Sequence, residues 1–183
     1  MDKLSILKSN RPNAGIIIAQ DKLKFSIESN KNIFSINQIK EIDERLNNNF
    51  KKLFGFSCPG VSKFNFNQDF IALWVRSNSY FVISKNIQYH EVLSNFQSKG
   101  SITDQTGGWM QFTIDGSDCL SLFEKLLTIN LESFDQGKVI RTNIGNINCF
   151  VLCRSKFEKY DILCPISFYQ SMRSRLESLI KLT

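Results

Sequence analysis

Histidine is nearly absent from this chain of 183 residues: His90 is the only one. A Ser-His-Asp or Cys-His arrangement would have to use it. It falls in Gln88-Tyr89-His90-Glu91, at the start of an amphipathic helix and opposite its apolar face, which reads as a solvated histidine. The five cysteines, Cys58, Cys119, Cys149, Cys153 and Cys164, contain no CxxC pair, so no zinc or thioredoxin-like site is spelled out. They read instead as small apolar core residues in a reducing compartment, Cys149 and Cys153 sharing one face of a strand. Neither GxGxxG nor GxxxxGKS/T occurs, and Gly107-Gly108 lies between strands rather than before a helix, where a phosphate would bind. Scattered Asp and Glu with one His give no metal-ligand spacing. Long apolar runs are missing too: the longest, Gly15 to Ala19, is far too short to span a membrane. Asp2, Lys3, Lys8 and Arg11 surround only brief apolar patches, which does not fit a secretory signal, and the expected location is the cytoplasm.

What is present is enough to build a core. The hydrophobic fraction is 42%, with 16 Phe against 2 Trp and 4 Tyr, so phenylalanine is expected to dominate the interior. The net charge of +6 raises the question of nucleic acid. Lysine is spread along the chain, however, and Arg173, Arg175 and Lys181 on the last helix read as a solvated face, so no nucleic-acid partner is expected. With no repeat, linker or low-complexity tract, residues 1–183 are expected to form a single domain, 1–14 being extended or irregular.

Periodicity sketches the elements. Gly15 to Ala19 and Leu23 to Ile27 read as strands. Ser35-Ile36-Asn37-Gln38 fits a capping box, and Ile36, Ile39, Ile42, Leu46 and Phe50 make one apolar stripe, which predicts a helix from Ser35 to Gly55. Phe70 to Val75 is a nearly continuous apolar strand of the kind covered on both faces, and Tyr80 to Ser84 returns after a turn. Gln88 to Phe96 is a short helix with Tyr89, Val92, Leu93 and Phe96 inward. Tyr160 to Cys164 is a strand, and Ser167 caps a last helix with Phe168, Met172, Leu176, Leu179 and Ile180 on one side. The predicted class is α+β, a mostly antiparallel sheet with three to four helices.

The richest stretch runs from Ser101 to Arg154. Ser101 to Thr106 reads as a strand, Gly107-Gly108 as a tight turn, and Trp109 to Ile114 alternates like a half-buried strand. Asp115-Gly116 is a turn and Ser117 an N-cap for a helix with Leu120, Phe123, Leu126 and Leu127 on its apolar face. Val139 to Thr142 and Ile147 to Arg154 flank a turn at Gly145-Asn146. Asp104 and Asp115 bracket a strand, yet each reads as a turn residue, Asp104 bonding backbone amides near Thr106. Arg141 lies opposite the core-facing Ile140. It is either a contact to a partner or acidic group, or an exposed strand arginine with a carboxylate neighbour. Trp109 suits an interface or the core. No catalytic, cofactor or metal residue is nominated.

The ordered set Thr103-Asp104-Gln105-Thr106, Trp109, Gly116, Asn130-Leu131, Phe134, Gly137, Arg141-Thr142 and Gly145 resembles the gamma subunit of heterotetrameric sarcosine oxidase, a family similar to part of the folate-binding aminomethyltransferases. The resemblance covers the C-terminal half, continues through Tyr160 to Cys164 and the last helix, and thins before Asn67. Asn130 stands where the family commonly has Asp, and Ile166 where a basic residue is expected. The resemblance implies a non-catalytic accessory chain, with Asp104, Thr106, Trp109, Arg141 and Thr142 as family-motif or partner-interface residues. It implies a complex that oxidatively demethylates sarcosine to glycine, yields hydrogen peroxide and passes the one-carbon unit to tetrahydrofolate. It implies no cofactor in this chain: FAD, FMN, NAD and tetrahydrofolate belong to partner subunits, with alpha the main contact and beta and delta also in the complex. Alternatives are a stand-alone folate-binding aminomethyltransferase-like protein and, more remotely, a small basic RNA-binding protein. An accessory subunit would be expected to expose an apolar docking patch of several hundred Å².

Overall fold

Alternating strands and short turns account for most of the architecture. The computed structural model describes residues 14–20, 22–38, 44–96 and 100–183. Along the chain, β1 (Gly15–Ala19) and β2 (Lys24–Glu28) precede β3 (Asn32–Gln38) and helix α1 (Glu44–Phe54). Then come β4 (Phe64–Phe66), β5 (Phe70–Arg76), β6 (Ser79–Ser84) and α2 (Tyr89–Phe96). The second half runs β7 (Gly100–Asp104), β8 (Trp109–Asp115), α3 (Cys119–Leu126), β9 (Val139–Ile144), β10 (Ile147–Ser155), β11 (Lys159–Pro165) and α4 (Tyr169–Ile180). The fold is α+β with antiparallel sheets and four α-helices among the described residues. It clusters into two compact units, one made of the chain up to Ser29 together with Gly107–Thr183, the other Asn30–Thr106.

The first unit is built on a six-stranded sheet in the order β1-β2-β8-β11-β10-β9. Successive side chains on a strand point to opposite faces, so every second residue shares a side. Phe25, Ile27, Met110, Phe112, Ile114, Cys149, Val151, Cys153, Tyr160, Ile162 and Cys164 form one such face. Against it pack Leu122, Phe123 and Leu126 of α3 and Met172, Leu176 and Ile180 of α4. Tyr160 ties this core to a turn: its ring lies 4.2 Å from Phe123, and its hydroxyl accepts from Phe157 N at 3.0 Å. The opposite face carries buried Phe150, Leu152 and Leu163 together with buried Gln111 and Asp161.

The second unit has a five-stranded sheet, β4-β5-β6-β3-β7. Its core joins Phe34, Ile36, Ala72, Tyr80 and Val82 to Leu46, Phe50 and Phe54 of α1 and Val92 and Phe96 of α2. Every residue of β6 is buried. β5, expected to be covered on both faces, lies one place from the edge, with Trp74 and Val75 only half-buried.

Three local expectations are corrected. Ser35 does not open a helix: it and Ile36 sit inside β3, paired with Phe81 and Tyr80 on β6 and with Thr103 and Ile102 on β7. Ile33, Phe34, Ser35 and Ile36 are all buried, and pairing on both sides outweighs the roughly 1 kcal/mol of a cap. The helix is α1, described from Glu44; Ile39 and Ile42 lie outside the described residues. Ser117 is not the N-cap of α3. Asp118 holds that position without a side-chain bond, and backbone carbonyls serve instead: Gly116 O accepts from Cys119 N at 3.3 Å. Ser167 likewise falls in a single 3-10 turn, Ile166–Phe168, so α4 begins at Tyr169 and Phe168 is 46% exposed.

Candidate functional site

Candidate residues from the sequence gather on one sheet face only in part. The β9–β10 ladder sets Arg141 directly opposite Phe150, so the two share a face. The Arg141 guanidinium lies 5.3 Å from the Phe150 ring centroid, and the Trp109 ring, at the start of β8, lies 5.5 Å from the same ring. Phe150 therefore joins Trp109 to Arg141 in an aromatic and cationic row. Arg141 Nε donates to Asn148 Oδ1 at 2.6 Å, and Asn148 Nδ2 donates to Asn143 Oδ1 at 3.0 Å. Arg141 is exposed and Trp109 half-buried. The carboxylate neighbour of the simpler reading is not there: Arg141 makes no ion pair among the described residues. Phe150 was missed in the sequence, although a two-residue turn at Gly145-Asn146 already places it across from Arg141 by counting.

Thr142 lies elsewhere. It opposes Cys149 and is half-buried, on the face away from Arg141. Asp104 and Thr106 belong to the other unit, where they close β7 onto β3. Asp104 Oδ1 accepts from Thr106 N at 2.8 Å, as the turn reading expected. The Thr106 hydroxyl accepts from Ile33 N at 2.9 Å and faces Ile33 O at 3.4 Å. Thr106 is 7% exposed, so removing its hydroxyl strands the Ile33 amide away from water. Thr106→Val is expected to lower unfolding free energy by about 2 kcal/mol, and Thr106→Ser by less than half of that. Urea titration checks this; a larger loss for Thr106→Ser than for Thr106→Val would show that the methyl group, not the hydroxyl, matters.

All five thiols are free, and four of them, Cys119, Cys149, Cys153 and Cys164, are buried in the first unit's core. Burial pushes Cys119 up to about 12 and Cys153 up to about 11. Cys149 is raised by its hydrogen bond with Cys164 and by burial. Cys58, in the other unit, is raised to about 11 by burial. In Cys58, Cys119, Cys149 and Cys153 the shift is away from the thiolate, which is the nucleophile. His90 is exposed on α2. No group of three or more His, Cys, Asp or Glu that could hold a metal ion occurs among the described residues. The buried carboxylate Asp161 accepts from Thr113 Oγ1 at 2.7 Å with one oxygen and from Arg154 at 3.2 Å with the other. Both oxygens are engaged across three strands, an arrangement that clasps the sheet and does not fit a group waiting to hold a pterin or move a proton.

No helix among the described residues is long and apolar enough to cross a membrane. The large exposed apolar residues among those described, Ile16, Val61, Phe66, Tyr89, Phe168 and Leu182, fall on separate segments of the chain.

Comparison with protein-family profiles and with curated proteins finds no match. Among solved structures, the chain is similar to one in the heterotetrameric sarcosine oxidase from Corynebacterium sp. U-96 in complex with pyrrole 2-carboxylate. The TM-score is 0.76 at 13% identity, covering 90% of this chain and 87% of that one. It is also similar to the glycine cleavage system aminomethyltransferase T from Bartonella henselae, with a TM-score of 0.53 at 9% identity. That match covers 82% of this chain but 44% of the other, so this chain spans less than half of that aminomethyltransferase. At these identities the likeness is one of fold, and the fold is the α+β arrangement shared by a sarcosine oxidase chain and an aminomethyltransferase.

Proposed function

We propose that the chain is a non-catalytic, gamma-type accessory subunit of a heterotetrameric sarcosine oxidase or a similar flavin-dependent N-demethylating complex. One observation carries the reading: the match to a chain of sarcosine oxidase runs nearly end to end on both sides, 90% and 87%, whereas the aminomethyltransferase match leaves more than half of that chain uncovered. Two chains of closely similar length and fold are what equivalent subunits would be. In this reading residues 1–183 work as one module in the cytoplasm and dock mainly on an alpha-type subunit, in a complex with beta and delta. FAD, FMN, NAD and tetrahydrofolate sit in those partners. Asp104, Thr106 and Thr142 serve the module's own architecture, and Trp109 and Arg141 its surface.

The test is mild purification of the native chain from its source cells, with identification of co-eluting chains, an absorbance spectrum and an assay for peroxide. The expected result is co-elution with larger flavin-bearing chains and peroxide formation that depends on sarcosine, the separated small chain being colourless. Stoichiometric flavin absorbance in the separated chain, or elution alone at every salt concentration, overturns the proposal. Tight tetrahydrofolate binding by the lone chain would favour the stand-alone aminomethyltransferase-like reading.

A further inference from the structure

A sheet edge is a row of unpaired backbone donors and acceptors, and proteins usually blunt it. Among the described residues four strands end the two sheets: β1 and β9 in one, β4 and β7 in the other. Three of these are blunted. The register of β1 on β2 shifts between Ile16 and Ile18. β4 has only three residues. The carbonyl of Ile102, in β7, accepts from the Tyr89 hydroxyl at 3.0 Å. β9 differs from all of them. It runs six residues, Val139-Ile140-Arg141-Thr142-Asn143-Ile144, with an unbroken register on β10 and no proline or glycine.

The chemistry along β9 narrows what could pair with it. Arg141 is exposed at the middle of the strand, with its guanidinium carbon 5.3 Å from the Phe150 ring centroid and its Nε bonded to Asn148. Its two terminal nitrogens make no hydrogen bond or ion pair among the described residues. No Asp or Glu occurs from 139 to 150, so nothing nearby on these strands balances the charge. A guanidinium oriented in advance, with its fork open, matches a carboxylate in two-point geometry. A second copy of this chain laid antiparallel over the same six residues would set Arg141 opposite Thr142 and give its guanidinium no carboxylate, which disfavours self-pairing.

We propose that β9 is a docking edge for an extended, acidic segment of a partner protein, which adds a strand beside Val139–Ile144 and sets a carboxylate on Arg141. Main-chain hydrogen bonds supply the attachment and the carboxylate the selectivity, the mode known as strand addition. The inference rests on the accessory-subunit reading for the partner's identity.

The experiment titrates the 15N-labelled full chain with a short capped peptide that alternates threonine and valine around a central glutamate, and with its lysine counterpart. The glutamate peptide is expected to shift the amide resonances of 139–144 and the Arg141 Nε signal, and added salt to weaken the effect. The lysine peptide is expected to leave them in place. Arg141→Gln weakens binding about tenfold with an unchanged unfolding midpoint, and Arg141→Lys, which keeps the charge and loses the fork, weakens it less. Absence of shifts at 139–144, equal shifts with both peptides, or indifference to Arg141→Gln overturns the proposal. The two readings fail separately. Co-elution with a flavoprotein that survives Arg141→Gln undiminished, without peptide shifts, leaves the subunit role standing and removes the edge. Peptide shifts in a chain that always elutes alone do the reverse.

Discussion

Phe50→Ala is expected to remove about 4 kcal/mol of stability from the second unit, the largest effect of any single truncation considered. Phe50 is wholly buried, and three rings meet it edge-on: Phe54 at 5.2 Å, Phe96 at 5.4 Å and Tyr80 at 5.7 Å. Truncation loses the transfer energy of the ring, opens a cavity, and removes edge contacts that each contribute about 1 kcal/mol beyond burial. Relaxation has little room, because Phe54 is already stacked on Phe96 at 5.8 Å and set against Phe70 at 5.3 Å. Helix α1 holds on through Leu46, Phe50 and Phe54, and Phe50 is the middle anchor. The melting midpoint should fall by about 10 °C. Hydrogen exchange should rise first in α1, α2, β5 and β6. Phe66→Ala, on a ring 37% exposed, is the comparison and should lose far less. If Phe50→Ala loses under about 1.5 kcal/mol, the helix is not anchored through this ring.

How far the chain could be read follows from which contacts are local. The hairpin of β9 and β10 was legible because Gly145-Asn146 and the flanking alternation lie within a few residues of one another. So were β8, α3 and β11, whose apolar periods are clear. β3 was misread because Ile36 happens to fall in a helical step with Leu46 and Phe50. What overrides that step is pairing with β6 and β7, some tens of residues away in the chain. β4 went unseen for the opposite reason: three residues, Phe-Asn-Phe, carry too short a pattern to register. The interleaving that places β8 between β2 and β11 has no local signal at all.

The candidate site divides in the same way. Asp104 was legible as a turn residue because its partner, Thr106, is two residues on. Arg141 and Trp109 could be singled out by residue type, but what joins them, Phe150, needed the register of β10 to be applied. The apolar docking patch rested on what obligate subunits usually show, whereas the edge proposed for docking carries Arg141 and Asn143. An edge strand attaches through backbone groups, which every sequence carries, so its presence leaves almost no compositional trace.

Gly116→Ala should lower stability by about 3 kcal/mol and the melting midpoint by about 10 °C, and the reason is backbone rather than side chain. Gly116 has φ +144, a conformation that residues with a Cβ rarely adopt. A Cβ built there would stand 2.0 Å from Lys22 O and 2.8 Å from Lys22 C, main-chain atoms that no rotamer change can move aside. Nor can the chain shift freely. Gly116 N donates to Glu158 O at 2.8 Å, and Asp118 N reaches Lys22 O at 3.4 Å. Two residues beyond Lys22, Lys24 pairs with Asp115, so retreat of that carbonyl strains the β2–β8 ladder from its end. Gly145 makes the contrast. Its φ of +61 lies in the left-handed well, and the three atoms nearest its Cβ would all belong to the Arg175 guanidinium, the first at 2.6 Å, the far end of a flexible side chain. Gly145→Ala should therefore lose only about 1 kcal/mol, and Gly145→Asn less, because asparagine tolerates that well. Thermal melts of the three variants decide the matter. Equal losses at 116 and 145 would mean that positive φ alone sets the penalty, whereas a gap of about 2 kcal/mol assigns the excess to the Lys22 carbonyl.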